Sequence, residues 1–148
     1  MAANKTDIEI RLAEDADKVA LRKLFLASRQ TTFSWAKISR FKLSDYDLET
    51  KGEKVIAAFC GLKLVGFVSI YMEDNFIHHL YVDGDFQNRG IGSALLKVAV
   101  SLTGFPLRLK CLEKNTRALA YYRSKGFVQK GKGVSEMGVY FDLEKPGL

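Results

Sequence analysis

The sequence predicts an α/β (α+β) fold: a mixed, mostly antiparallel sheet flanked by helices on both faces. Three observations carry this. Residues 54–71 form two apolar runs hinged at Gly61, the pattern of an antiparallel hairpin. Residues 90–103 place Ile91, Ala94, Leu95, Val98, Ala99 and Leu102 at helical spacing on one face. After residue 76 the chain reads strand–helix–strand–helix–strand, so a crossover connection lies inside the sheet.

The elements follow in order. Ile8–Leu12 alternates apolar and charged residues, as a half-buried strand does. From Asp15 or Asp17, either an acceptable N-cap, a helix runs to about Ser28 with Ala16, Val19, Ala20, Leu24 and Ala27 on one face. Residues 29–50 are ambiguous, with a short second helix suggested from Ser44 to Leu48. Strands at Lys54–Cys60 and 62–71 come next, then a turn at Glu73-Asp74-Asn75 and a strand at Phe76–Val82. The helix over 90–103 is followed by a strand at Leu107–Leu112. A second helix over 115–125 is stopped by Gly126. Strands over 127–132 and 134–143, joined at Gly133, close the chain.

A length of 148 residues suits one domain spanning 1–148. Such a chain buries roughly two thirds of its unfolded surface and needs no metal or disulfide staple. With 47% hydrophobic and 27% charged residues the composition is globular, which excludes disorder and collagen-like repeats. The longest uninterrupted apolar stretch, 55–60, is far short of a membrane span, and the N-terminal residues lack the apolar core of a secretion signal. A cytoplasmic protein with no membrane association is expected. Cys60 and Cys111 have no ligand-like spacing, so neither a disulfide framework nor a metal site is expected.

The net charge of +6 is unevenly placed. Residues 1–86 hold 12 basic and 13 acidic residues, whereas 87–148 hold 11 basic and 4 acidic. Such a skew suits a solvated surface or an anionic partner, either a phosphorylated small molecule or nucleic acid. At the boundary a strand ending Leu80-Tyr81-Val82 is followed by seven residues, 83–89, and then by Gly90-Ile91-Gly92-Ser93 opening a helix. Backbone N–H groups at a helix start lack intrahelical partners, and glycines let an anion approach them. The position suits a pyrophosphate. A Rossmann turn is disfavoured, because its glycines follow the strand directly and an acidic residue lies about 20 further on. A Walker loop is disfavoured because no Gly-Lys-Ser/Thr occurs.

The run Gln87-Asn88-Arg89-Gly90-Ile91-Gly92 resembles the Gln/Arg-x-x-Gly-x-Gly/Ala signature of the GNAT N-acetyltransferases. Asn115-x-x-Ala118-x-x-Tyr121-Tyr122-x-x-x-Gly126-Phe127 is similar to a second element of that family, and the element order matches from Ile8 to about Leu143. The resemblance implies an acetyl-CoA-dependent acetyl transfer to a primary amine, by direct attack on the thioester with no metal. The acceptor would be a small molecule or a protein amino group, and the chain a possible homodimer. The cofactor pyrophosphate would lie on Gln87, Asn88, Arg89, Gly90, Ile91 and Gly92, with Ser93 beside it. The pantetheine arm would pair with Leu80, Tyr81 and Val82 after a bulge, with Asn115 bonding it. Arg89, Lys114, Arg117 or Arg123 would guide the phosphates in.

Tyr122 matches the family's general acid for the leaving thiolate, with Tyr121 as runner-up. In some subfamilies the base lies four residues before the Val, which lands on His78. Strand alternation puts His78 on one face with Phe76, Leu80 and Val82, and His79 on the other with Ile77 and Tyr81. His78, His79 or a water chain is therefore the base; the Glu that serves elsewhere in the family is here Lys110. Arg29, Thr32, Phe33 and Trp35 form a polar–aromatic cluster that suits an acceptor pocket or core packing. Glu73 and Asp74 suit an ammonium or a solvated turn. Both cysteines read as structural thiols. The competing classes are a non-catalytic acyl-CoA-binding module of the same fold and a basic nucleic-acid-binding protein. The second lacks a recognised motif.

Overall fold

A computed structural model describes residues 7–148, apart from the side chain of Ile38. The stretch before residue 7, read above for a secretion signal, lies outside the described residues. The elements are β1 (Ile8–Leu12), α1 (Lys18–Thr32), α2 (Asp45–Glu49), β2 (Lys54–Cys60), β3 (Lys63–Tyr71), β4 (Phe76–Val82), α3 (Ile91–Thr103), β5 (Leu107–Leu112), α4 (Thr116–Ser124), β6 (Val128–Ser135) and β7 (Gly138–Lys145). They build one seven-stranded sheet in the order β1-β2-β3-β4-β5-β7-β6. Every neighbouring pair is antiparallel except β4 and β5, which the α3 crossover makes parallel. No helix among the described residues is long and apolar enough to cross a membrane.

Helices cover both faces because the strands are apolar on both sides. On one face α1 and α2 bury Leu21, Phe25 and Tyr46 against Ala57, Phe59 and Phe67. On the other, α3 and α4 bury Ile91, Leu95, Ala99 and Leu119 against Ile56, Val68, Ile70, Ile77 and Leu109. Gly66 in β3 lets α3 settle closely: a Cβ there would meet the Tyr81 carbonyl at 3.0 Å and Leu95 Cδ1 at 3.2 Å.

Three boundaries differ from expectation. Asp15 and Asp17 form a separate 3₁₀ turn, where Asp17 accepts from the Glu14 N–H and from Arg11, and α1 then runs to Thr32 rather than Ser28. The α3 stripe is centred on Ile91, Leu95 and Ala99 and widens to Leu96, which leaves Leu102 39% exposed. The final hairpin turns at Glu136–Met137 rather than at Gly133. Gly133 sits mid-strand opposite Tyr140, where any Cβ would collide with the Tyr140 ring. Its glycine serves that close approach rather than a reversal.

Candidate active site

β4 carries the geometry of the site. It pairs with β3 along its length, but with β5 only at Phe76–Arg108 and Ile77–Leu109. Beyond Ile77 the edge of β4 facing β5 has no strand partner among the described residues. Val82's carbonyl on this edge accepts from Gln87 Nε2 at 2.8 Å. Backbone alternation then turns Leu80's N–H and carbonyl to the same open edge, and Tyr81's toward β3.

A bulge interrupts β4 where the register jumps from Ser69–His79 to Ile70–Ile77, so His78 is the extra residue. This overturns the expected alternation. His78 and His79 do not point to opposite faces; their rings stack at 3.9 Å with 28° between planes. Ile77 lies with Leu80 and Val82 in the α3 layer, not with His79 and Tyr81. The bulge consumes one residue without alternation, and a count by twos fails across it.

The two rings have different surroundings. His78 Nδ1 lies 2.7 Å from Glu53 Oε2; its side chain is 36% exposed, and that of Glu53 only 8%. Both line an open groove of about 840 Å³, together with Tyr71, Lys110 and Asp142. His79 is buried edge-on to Phe25 at 4.7 Å. Burial, then the neighbouring His78 and Arg29, push its pKa down to about 2, so the ring is neutral. Its Nε2 stands 3.9 Å from Glu49 Oε1. Glu49 is itself held above its ordinary pKa by burial, with Arg29 opposing.

At the far end of β4 the chain enters α3 through Asn88 and Gly90, both with left-handed φ (62° and 78°). The first helical bond is Ala94 N–H to the Gly90 carbonyl, so the N–H groups of Ile91, Gly92 and Ser93 have no intrahelical acceptor. A Cβ at Gly90 would meet nothing within 4 Å. This is an open cradle of amides at a helix N-terminus, and its residues fit a pyrophosphate. Tyr121 Oη contacts Ser93 Oγ at 3.1 Å and lies 3.6 Å from where a Gly92 Cβ would be. Tyr122 packs edge-on to Phe127 and Tyr121, each at 5.4 Å. Burial holds its phenol well above the usual tyrosine pKa, and no described residue hydrogen-bonds its hydroxyl.

A splayed β4–β5 pair above a glycine-opened helix is accompanied by a match to the model of the acetyltransferase (GNAT) family over residues 19–127. The chain belongs to the GNAT acetyltransferase family. Its fold is similar to that of PaiA N-acetyltransferase from Thermoplasma acidophilum in complex with coenzyme A, with a TM-score of 0.78 and 21% identity over 95% of this chain and 99% of that one. It is also similar to apo-form YjaB from Escherichia coli, at 0.77 and 19% over 96% and 99%. The ribosomal-protein-S18-alanine N-acetyltransferase from Escherichia coli matches at 0.73 and 18% over 96% of each chain.

Within this GNAT fold the remaining sequence expectations sort themselves. Asn115 is the N-cap of α4, its Oδ1 accepting from Ala118 N–H at 3.4 Å, which leaves Nδ2 to donate. Arg89 stacks over Phe86, at 4.8 Å from its ring centroid. Ile91 contributes only backbone, since its side chain is core. Arg29 is committed to Asp45 at 3.2 Å and Glu49 at 2.9 Å, over the rings of Phe25 and Phe41. Phe33 packs on Trp35, and Trp35 Nε1 donates to the Met137 carbonyl at 3.2 Å, so this pair ties the segment after α1 to the β6–β7 turn. Asp74 lines the groove, while Glu73 accepts from Tyr71 Oη. Cys111 is buried, its thiol pushed up to about 11 by burial, and Cys60 is half-buried. Glu53 and Glu49 went unmarked in the sequence: each lies far from the histidines along the chain, and nothing in its local pattern signals a ring partner.

Proposed function

We propose that the chain, as one domain over 1–148, is an acetyl-CoA-dependent N-acetyltransferase acting on a primary amine in the cytoplasm. The observation that carries this reading is the open edge of β4 followed, after the loop over 83–90, by the amide cradle of α3. An extended amide chain pairs with a free strand edge, and a pyrophosphate takes unpartnered N–H groups. Acetyl-CoA supplies the activated acyl carbon when bound. The N–H groups of Ile91, Gly92 and Ser93, with the turn at Gln87, Asn88, Arg89 and Gly90, hold its pyrophosphate. Leu80 and Val82 offer backbone groups to its arm, with Tyr81 as the strand residue between them, and Asn115 Nδ2 donates to it.

His78 receives the proton of the amine, directly or through one water, from the groove side of β4. Glu53 fixes the ring through Nδ1 and leaves Nε2 to act. His79 is unsuited to the task, because burial strongly disfavours its charged form. Tyr122 donates to the departing thiolate; burial weakens the phenol as an acid, so it acts through a short hydrogen bond to the sulfur as charge develops there. Tyr121 steadies Ser93 beside the cradle.

The test separates binding from chemistry. Calorimetry with acetyl-CoA should give micromolar-range affinity, and Tyr122→Phe should keep that affinity while lowering kcat about 10²-fold or more. A variant that turns over every accepted amine at the wild-type rate would remove Tyr122 from its role.

A further inference from the structure

The bulge that sets His78 beside His79 also brings both within reach of Glu49. One donor atom from each of these three residues lies within 4.8 Å of the others. We propose that Glu49, His78 and His79 form a binding site for a divalent cation of the zinc class. Two imidazoles and one carboxylate are a donor set zinc favours in open sites, with the remaining position left to water.

The surroundings support the assignment independently of donor count. His79 is only 9% exposed, yet its Nε2 has no hydrogen-bond partner and faces Glu49 Oε1 at 3.9 Å. A buried polar atom left without a partner is costly, so a buried nitrogen of this kind marks a place for a ligand. Ser69 Oγ and Glu53 Oε1 are likewise buried without partners, and Ser69 is His79's neighbour across the ladder.

The outer contacts are those of an oriented ligand set. Glu53 holds His78 Nδ1, which fixes the ring with a lone pair on Nε2; a carboxylate behind a ligand histidine is a common means of orienting it. Arg29 holds Glu49 by Oε2 at 2.9 Å, which leaves Oε1 on the His79 side. The guanidinium is also paired with Asp45 at 3.2 Å, so its charge is shared out before it meets a cation. Glu49 and His78 side chains are each about one third exposed (35% and 36%), giving an ion a path from solvent and giving the donors freedom to close around it. Zinc bonds of about 2.0–2.2 Å need that contraction. The expectation of no metal rested on the family resemblance and on cysteine spacing, and spacing is blind to donors joined by a bulge.

The ion and the amine proton would draw on the same His78 Nε2, so an occupied site displaces the base, and the inference is tested by metal binding alone. The full chain, stripped with chelator, is titrated with Zn²⁺ by calorimetry, and with Co²⁺ by visible absorption. The proposal expects one ion per chain at micromolar affinity or tighter, with the intense bands of low-coordinate cobalt. Glu49→Gln and His79→Gln should each weaken zinc at least tenfold, and Glu53→Gln about 10–100-fold, with circular dichroism confirming the fold. Glu49 is partly exposed, so its variant keeps the test valid if His79→Gln does not fold. Cys60→Ser should retain full binding. The proposal is overturned if no stoichiometric uptake occurs, if Glu49→Gln binds as the parent does, or if Cys60→Ser abolishes uptake.

Discussion

At the scale of single residues the site depends on what burial does to two adjacent histidines. His79 is neutral in the folded chain while an unfolded chain would carry it near its ordinary pKa of 6.5. The unfolded state therefore binds the extra proton, and stability falls as pH drops below 6.5 by up to about 1.4 kcal/mol per pH unit. Glu49, raised by burial, takes its proton earlier when folded and opposes this trend near its own titration. Asp17 and Asp47, lowered by Arg11 and Arg22, lose their contributions only below 3.8. Urea melts between pH 6.5 and 4.5 should show the loss, and His79→Gln should flatten it; a flat wild-type curve would contradict a neutral buried ring. Glu53 gives a second residue-scale prediction. Glu53→Gln should lower kcat for acetyl transfer with little change in KM for acetyl-CoA, because it frees the His78 ring without touching the cradle. Equal losses in both parameters would point to a structural role instead.

Elements decide where sequence reading succeeds. The strand at Leu107–Leu112 and the helix at α3 were legible because each has an unbroken period and clear ends, and Phe76–Val82 because it is an apolar run that follows a turn, although its period breaks at the bulge. The cradle was legible because its chemistry is backbone chemistry, marked by glycines at fixed positions. The family resemblance implied a bulge in this strand, but its place at His78 was not legible: it depends on how β3 and β4 settle in register, which no local pattern encodes. Gly133 misled for the opposite reason, since a glycine needed for close approach looks the same in sequence as one needed for a turn. Gly66 has such a role too, and it yields a prediction. Gly66→Ala forces the Tyr81 carbonyl and the Leu95 and Ile91 side chains apart, and should destabilise the protein by about 1–3 kcal/mol in denaturant melts. A neutral result would mean that α3 is free to retreat from the sheet.

Across the whole molecule, the charge skew is shared between two places. Among the basic residues after residue 86, Arg89 stands at the cradle, while Arg108, Lys110 and Lys130 line the groove beside His78. Arg89 would face the phosphates of the proposed cofactor, and the sequence holds no recognised nucleic-acid-binding motif. Arg89→Ala should weaken acetyl-CoA up to about fivefold at low salt, with the difference shrinking as salt rises. A salt-independent difference would assign Arg89 to packing on Phe86 rather than to steering.

The central claim is amine-dependent transfer, and thiol release from acetyl-CoA measures it most directly. With a panel of amino acids, polyamines, aminoglycosides and N-terminal peptides, CoA release should run well above the amine-free rate for at least one class, and be abolished or strongly reduced in Tyr122→Phe. Acetyl-CoA binding without amine-dependent release on any class would contradict it, and would leave a module that binds the cofactor without using it.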